Sequence, residues 1–179
     1  AKVMEFKEIN GSFSNKLGEI CDLEDTHLYP LLKSSDIAGS NKVIRRWMLV
    51  TQKTVGQNTK EIKSISPKTW AYLEKHAVFL DSRKSSIYEN RPRFSIFGVG
   101  EYSFSPWKVA ISGLYKKLSF VAVGPHESKP TVLDDTCYFL ACGSEKEANL
   151  IVKLLSSKPA QQFYESFIFW DAKRPITAK

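Results

Sequence analysis

The chain has 179 residues, of which 42% are hydrophobic and 25% are charged. This composition excludes a disordered or fibrous protein, and the length allows one well-buried core, or one domain with a small subdomain. No apolar run reaches the roughly 20 residues of a membrane helix, and the first residues lack a secretory apolar segment, so we expect a cytoplasmic protein.

The net charge of +7 is unevenly distributed. Between Lys33 and Lys117 there are 16 Lys and Arg against 6 Asp and Glu, a balance of +10, whereas the flanks hold 10 and 13, a balance of −3. A basic segment of this kind can neutralise phosphates and release their counterions, which supplies most sequence-independent affinity for nucleic acid. The alternative is that these lysines only keep the surface solvated.

Turn and helix signals occur early in the chain. Asn10-Gly11-Ser12 predicts a turn between two short extended runs. Thr26 is a suitable N-cap and predicts one helical turn that ends by Lys33, because Pro30 limits its length.

A strand and a longer helix are predicted next. Residues 42–52 predict a central strand because both faces are largely apolar, and each face carries one arginine whose head can reach the sheet edge. Ser66-Pro67 predicts a helix start, with serine as the cap and proline at the first helical position. Apolar residues at intervals of three and four continue this helix to about Arg83.

The segment from Ser85 to Gly100 has no periodicity and predicts a loop, and loops of this length are often functional. Short β-branched or aromatic runs at residues 108–112, 119–123 and 136–141 then predict strands. Glycine and proline divide these runs, which indicates a small antiparallel sheet.

Two helices are predicted near the end of the chain. Ser144 begins a capping box that continues as an amphipathic helix. Pro159 opens a last helix, on which we expect Phe163, Phe167 and Trp170 to be buried. The predicted fold class is therefore α/β of the α+β type, a small, mostly antiparallel sheet with flanking helices.

No metal site or disulfide framework is predicted. Cys21, Cys137 and Cys142 are odd in number and fit no paired C-x-x-C spacing, so we expect reduced, mostly buried thiols. The three histidines are far apart in sequence. Asp134-Asp135 and Glu145 do not form the nuclease pattern D-(x)n-E-x-K, because Lys146 directly follows Glu145.

Two runs resemble parts of one protein family. Leu28–Ile37, LYPLLKSSDI, resembles the segment that leads into the DNA target-recognition domains attached to adenine methyltransferases of restriction-modification systems. Phe97–Val109, FGVGEYSFSPWKV, is similar to a glycine-aromatic loop and strand of the TaqI-like C-terminal specificity domain. The resemblance extends from about Val3 to Lys158.

The resemblance implies an α/β specificity domain joined to an upstream catalytic domain, which binds S-adenosylmethionine and methylates the exocyclic amine of adenine. On this basis we expect residues 1–24 to be a lead-in segment and residues 25–179 to be the target-recognition domain, as a fragment of a longer methyltransferase polypeptide. The first residue, Ala1, fits such a fragment. The implied partners are double-stranded DNA and the upstream domain, and no membrane.

The fragment itself is expected to bind no cofactor and to lack catalytic residues. Phe97-Gly98-Val99-Gly100 comes within one position of the F-x-G-x-G loop of adenine methyltransferases, but there a helix must start directly after the glycines. Here an alternating aromatic and polar stretch with Pro106 follows, so we expect no helix. The family's catalytic motif also needs two adjacent prolines before an aromatic residue, and none of the eight prolines adjoins another.

The candidate DNA contacts come from the basic middle of the chain. Arg91 and Arg93 flank a loop proline and are hard to bury. Arginine can bind guanine, lysine can bind phosphate, and aromatic rings can pack on sugars or thymine methyls. The alternative for the aromatics is a place in the core. The resemblance puts Lys33-Ser34-Ser35 near DNA, and the alternative is that Ser-Ser-Asp only caps a turn. The full set of predicted DNA contacts is Lys33, Ser34, Ser35, Arg45, Arg46, Lys53, Arg91, Arg93, Tyr102, Ser103, Ser105, Trp107, Lys108, Lys116 and Lys117.

These observations predict sequence-specific recognition of double-stranded DNA for an adenine methyltransferase or a fused restriction-modification enzyme. The chain would position the target adenine for the upstream catalytic domain. The alternative is a module that binds RNA or another protein through the same basic aromatic surface.

Overall fold

The computed structural model describes residues 2–39, 43–172 and 175–176. Its strands are β1 Glu5–Ile9, β2 Ser12–Asn15, β3 Ile20–Cys21, β4 Leu28–Leu32, β5 Trp47–Leu49, β6 Trp107–Ser112, β7 Val121–Val123, β8 Val132–Leu133 and β9 Cys137–Cys142. Its helices are α1 Ser34–Ala38, α2 Ile62–Ile65, α3 Pro67–Lys75, α4 Ala77–Asp81, α5 Glu145–Leu155 and α6 Lys158–Phe167. Most strand pairs are antiparallel, and the predicted α+β fold class is confirmed.

The chain forms two compact units. Unit 1 comprises Ala1–Pro30 and Arg45–Glu101, and unit 2 comprises Leu31–Ile44 and Tyr102–Lys179. The segment predicted as a lead-in, residues 1–24, contributes β1, β2 and β3 to unit 1. The division into a lead-in segment and a recognition domain at residues 25–179 stays a prediction.

Unit 1 contains an antiparallel sheet with the strand order β3-β2-β1-β5-β4. The predicted turn between β1 and β2 is confirmed: Asn10 and Gly11 both have positive φ, 51° and 76°, as tight hairpin turns require. The predicted strand at residues 42–52 is confirmed only for β5, and Lys42 lies outside the described residues.

The predicted helical turn from Thr26 to Lys33 is wrong over most of its length. A single 3₁₀ turn covers Asp25–His27, and the chain then extends as β4. All five residues of β4 are buried, and Leu28 lies opposite the equally buried Leu49 of β5. A run that is buried on both faces suits a strand covered on both sides, so the packing outweighed the local cap signal.

The helix that starts at Pro67 is confirmed as α3, but Ser66 does not cap it. Instead, the Glu24 carboxylate accepts hydrogen bonds from the amides of Lys68 and Thr69, both at 2.8 Å. Burial alone would raise the pKa of Glu24, but the Thr69 hydroxyl and these amides outweigh it and lower the pKa to about 2. The single helix predicted to Arg83 breaks at His76 and continues as α4.

Aromatic contacts fix α3 against the sheet of unit 1. The rings of Phe6 and Tyr72 have their centroids 5.6 Å apart. The Tyr72 hydroxyl donates to the Val3 carbonyl at 2.8 Å and accepts from Asn15 Nδ2 at 3.0 Å. Because this buried hydroxyl is satisfied on both sides, the position of α3 on β1 and β2 is well defined.

Unit 2 is built on the antiparallel sheet β7-β6-β9, and all three of its strands were predicted. Adjacent residues of β6 point to opposite faces. Ala110 packs with Ile37 of α1 on one face, whereas Val109 packs with Ala148 of α5 on the other. Unit 2 therefore has an apolar cluster on each side of one sheet. In the same unit, Leu31 and Leu32 at the end of β4 pair in parallel with β8.

Both predicted C-terminal helices are confirmed, but the predicted burial on the last one is wrong. Ser144 Oγ caps α5 by accepting from the Glu147 amide at 3.2 Å. On α6, Phe163 and Phe167 are 61% and 66% exposed, and Trp170 lies beyond the helix end. The two phenylalanines line an apolar groove of about 620 Å³ in unit 2, and none of the described residues that line it is charged.

All three cysteines are buried and free, as expected. Burial raises the pKa of the Cys137 thiol to about 12. Within the described ranges, no three His, Cys, Asp or Glu side chains come together as a metal site. No helix in that part of the chain has the length and hydropathy needed to cross a bilayer.

Candidate nucleic-acid interface

The predicted loop of residues 85–100 in unit 1 is attached to the unit by buried polar side chains. Thr51 Oγ1 donates to the Phe94 carbonyl at 2.9 Å. Gln52 binds Ile96 twice, since its Nε2 donates to the Ile96 carbonyl at 2.7 Å and its Oε1 accepts from the Ile96 amide at 3.1 Å. These bonds hold the C-terminal half of the 85–100 loop at Phe94 and at Ile96.

Two further side chains hold the same part of the 85–100 loop. Thr59 Oγ1 donates to the Arg93 carbonyl, and Arg83 Nη1 donates to the Ser95 carbonyl at 2.6 Å. The carbonyls of Arg93, Phe94, Ser95 and Ile96 are thus all bound by side chains of unit 1. A loop fixed in this way presents its remaining side chains to solvent with little conformational freedom.

The two predicted arginines of this loop are both exposed but differ in their partners. Arg93 forms an ion pair with Asp81, with Nη2 and Oδ2 2.7 Å apart, and its guanidinium lowers the pKa of that carboxyl. The Arg91 guanidinium has no hydrogen-bond or ion-pair partner among the residues that the structure describes. Arg91 therefore offers an unneutralised positive charge, whereas Arg93 is partly neutralised.

Of the two arginines before β5, one also lacks a partner among the described residues and the other lies near a carboxylate. Arg45 is exposed, and the described part of the chain gives its guanidinium no partner. Arg46 is half-buried with its Nε 3.9 Å from the buried carboxylate of Glu5, which also binds Lys16 at 2.7 Å. Lys53, another predicted contact in unit 1, is exposed. Arg45 is therefore the more available of the two arginines.

The predicted contacts at residues 33–35 lie in unit 2, where Ser34 is buried. Its Oγ donates to the Thr136 carbonyl at 2.7 Å and accepts from Ser112 Oγ at 3.0 Å. The Asp36 carboxylate accepts from the Lys33 amide at 2.8 Å and caps α1, as the alternative interpretation expected. Lys33 is half-buried, and Ser35 is the exposed member of this set.

Two of the five predicted contacts in the second run, Ser103 and Lys108, are buried in unit 2. Lys108 is 1% exposed, and its Nζ donates to the Ser105 carbonyl at 2.7 Å. Burial lowers the pKa of Lys108 to about 8. Ser103 is buried, Ser105 and Trp107 are half-buried, and Tyr102 is exposed. The placement of Lys108, Ser103 and Ser34 does not favour a direct contact with DNA, so those three contacts stay predictions.

Lys116 and Lys117 lie on the loop between β6 and β7 and are exposed. They line a shallow pocket of about 350 Å³ in unit 2, together with Gln161, Glu165 and Trp170. Trp170, which the sequence pattern placed in the core, is instead beside two lysines. No local signal predicts this proximity, because Trp170 is more than 50 positions from both lysines along the chain.

The residues of the Phe97–Gly100 segment do not fit S-adenosylmethionine. Phe97 and Gly98 are exposed. The expectation that no helix follows the glycines needs a correction, since a four-residue 3₁₀ helix covers Glu101–Phe104. A single 3₁₀ turn does not provide the long helix N-terminus of a cofactor loop.

Comparison with known proteins gives a close match. No protein-family model matches the chain. The chain is 57% identical over 178 residues to the type II methyltransferase M.NspV of Nostoc sp. (strain ATCC 29411 / PCC 7524). It is related to a type II methyltransferase. The match covers 98% of this chain and 37% of the length of the Nostoc protein.

The structure thus leaves a definite set of exposed cations among the predicted contacts. In unit 1 these are Arg45, Lys53, Arg91 and Arg93, and in unit 2 they are Lys116 and Lys117. Phe97, which the sequence pattern did not single out, has an exposed ring on the 85–100 loop between the bound Ile96 and Gly98. The glycine that follows it was the available signal, because Gly98 has a φ of 75° that favours glycine.

Proposed function

We propose that this chain recognises specific sequences in double-stranded DNA as part of a type II adenine methyltransferase of a restriction-modification system. The similarity to M.NspV carries the proposal, because it joins the chain to part of a methyltransferase at 57% identity. The resemblance of the two runs to TaqI-like specificity domains supplies adenine as the target. We place the whole enzyme in the cytoplasm.

The catalytic chemistry is assigned to the remaining part of the enzyme. The chain has no adjacent prolines to hold a flipped adenine. Its glycine segment, with an exposed Phe97, does not suit a methyl donor. We therefore propose that an upstream domain of the same polypeptide binds S-adenosylmethionine, and that this chain contributes DNA binding and orientation.

The exposed cations supply the electrostatic part of binding. Arg45 and Arg91 lack partners in the described part of unit 1, and Lys116 and Lys117 are exposed in unit 2. Each phosphate that such a side chain neutralises contributes about 0.9 to the slope of log affinity against log salt concentration. Four such contacts would give a slope of about −3.6. Specificity must come from side chains that contact base edges, and the fixed 85–100 loop is the best candidate in unit 1.

Mobility-shift measurements across a salt series test the proposal. We expect the 179-residue chain to bind duplex DNA, with an affinity that falls with salt at a slope of about −2 to −4. Duplexes selected from a randomised pool should share a sequence. Single-stranded RNA of equal length should compete poorly. Absence of duplex binding at low salt would refute the proposal, and a clear preference for RNA would favour the alternative of an RNA-binding module.

A further inference from the structure

We propose that Phe97 packs against the apolar surface of a nucleobase and so contributes to sequence discrimination. This inference rests on the proposed function, because it names a base contact within the proposed DNA interface. Phe97 is 59% exposed, although phenylalanine is among the residues that are usually buried. A single exposed ring needs no explanation by itself, but the protein also fixes the backbone that carries this one.

The backbone on the N-terminal side of Phe97 is fixed. Ile96 is bound through both its amide and its carbonyl by Gln52, which is itself buried. The carbonyls of Ser95 and Phe94 are bound by Arg83 and Thr51. Polar side chains are costly to bury unless they are hydrogen-bonded, and here they bind the buried residues 94–96 directly before the exposed Phe97.

The backbone conformation on both sides of Ile96 also indicates that the backbone near Phe97 is fixed. Phe94 has a φ of 67°, in the left-handed region that bulky residues rarely adopt, and its side chain is buried. Gly98, directly after Phe97, has a φ of 75°, a left-handed conformation that favours glycine. Strained residues persist where the surrounding structure determines them, and they cluster at sites of binding. Residues 93–96 therefore form a fixed support directly before the exposed ring of Phe97.

The neighbouring charge indicates which kind of ligand suits this ring. The same loop carries the unpartnered guanidinium of Arg91 and the partly neutralised guanidinium of Arg93. A ligand that contacts both this ring and the cations of its loop has both apolar and anionic groups. A nucleotide has this combination, because its base is apolar on its faces and its phosphate is charged.

Two parts of a base could contact Phe97, and both are apolar. In a stacked duplex the thymine 5-methyl group is exposed in the major groove, whereas the flat face of a base is exposed only if the base leaves the stack. Replacing thymine by uracil in the probe removes the methyl and leaves the face intact. The two sources are thus distinguishable in the same assay.

The experiment compares Phe97→Ala with the wild-type chain on two duplexes. One is selected by the wild-type chain from a randomised pool, and the other has the same composition in scrambled order. We expect the variant to lose roughly 5- to 100-fold of its affinity for the selected duplex, and little for the scrambled one. The slope with salt should not change, because phenylalanine carries no charge. Phe169→Ala, which removes another exposed ring, is the matched control and should bind as wild type does.

Folding is checked by the urea midpoint, which should not change because the Phe97 ring is exposed. Phe97→Leu, which keeps an apolar side chain, should retain part of the discrimination. If the thymine-to-uracil probe removes the difference between the wild type and Phe97→Ala, the contact is to the methyl. If the difference persists, the contact is to a base face. Unaltered discrimination by Phe97→Ala, or an equal loss on both duplexes, would overturn this inference while leaving the proposed function intact. Failure of the wild-type chain to bind any duplex would instead refute the proposed function.

Discussion

Replacing Lys108 with methionine separates a core lysine from a DNA contact. Lys108 lies in β6 and is 1% exposed, with its Nζ 2.7 Å from the Ser105 carbonyl. Methionine has a similar length and flexibility but no charge. The substitution therefore removes a buried cation and one hydrogen bond while filling most of the same space.

The size of the effect follows from the pKa of Lys108. Burial lowers this pKa from 10.5 to about 8. Lowering the pKa from 10.5 to about 8 corresponds to about 3.4 kcal/mol, by which burial destabilises the charged amine relative to water. Loss of the hydrogen bond to the Ser105 carbonyl offsets roughly 1 kcal/mol of this. We expect Lys108→Met to raise the free energy of unfolding by about 1–3 kcal/mol at pH 7.

The stability difference should depend on pH with a definite sign. The unfolded amine keeps its proton up to about pH 10.5, whereas the folded amine loses it near pH 8. Between these values the unfolded state binds more protons, so the free energy of unfolding of the wild type rises with pH. The advantage of Lys108→Met is therefore complete below pH 8 and decreases as the pH rises to 10.5.

Urea unfolding of both proteins between pH 7 and 10.5 measures this difference, in which the titration of all other groups cancels. Lys116→Met, at an exposed position, is the control and should change stability by less than about 0.5 kcal/mol. A loss of stability in Lys108→Met at pH 7, or a difference that is the same at both ends of the pH range, would refute the reasoning. Duplex DNA should bind Lys108→Met as tightly as wild type, and weaker binding would restore Lys108 as a direct contact.

Three other results are expected. Glu24→Gln should lower the free energy of unfolding by about 1–2 kcal/mol at pH 7, because solvent screening reduces the full effect of the cap on α3. The pKa of Glu24 is lowered from 4.5 to about 2, so its contribution is present above pH 4.5 and is lost as the pH falls to about 2, which urea unfolding between pH 2 and 7 can follow. Arg91→Ala should reduce the slope of log affinity with log salt by about 1, and Arg93→Ala by less, because Asp81 already neutralises part of the Arg93 charge; equal slopes would contradict this reasoning. Cys137 should react with a thiol reagent only after unfolding, since its thiol is buried and its pKa is about 12; fast labelling of Cys137 in the native chain would show that it is accessible.

The secondary structure of unit 2 could be predicted well from the sequence because its signals are local. β6, β7 and β9 are short β-branched or aromatic runs that glycine and proline separate, and α5 begins with a serine cap. Unit 1 was harder to predict. The cap on α3 comes from Glu24, more than 40 residues before the helix, and β4 is extended because other elements cover it. Neither feature can be predicted from a short stretch of sequence.

The candidate site was predictable to a smaller extent. Residue type alone predicted correctly that Arg91 and Arg93 would be exposed, because a guanidinium beside a loop proline is costly to bury. The pairing of Arg93 with Asp81, the burial of Lys108 and the position of Trp170 beside Lys116 all depend on long-range packing. Arginines occur both paired and unpaired, and lysines both buried and exposed, so residue type alone does not predict which of them remain available.

The order and type of most elements, the basic balance of the middle segment and the absence of adjacent catalytic prolines were determined by the sequence alone, because each depends on residues close together in the chain or on composition. Tertiary structure decided which cations remain available to a ligand, and it fixed Phe97 in an outward position. The physical reason is that burial and pairing depend on neighbours brought together from distant segments. Thr51 and Gln52, for example, bind carbonyls more than 40 residues later in the chain.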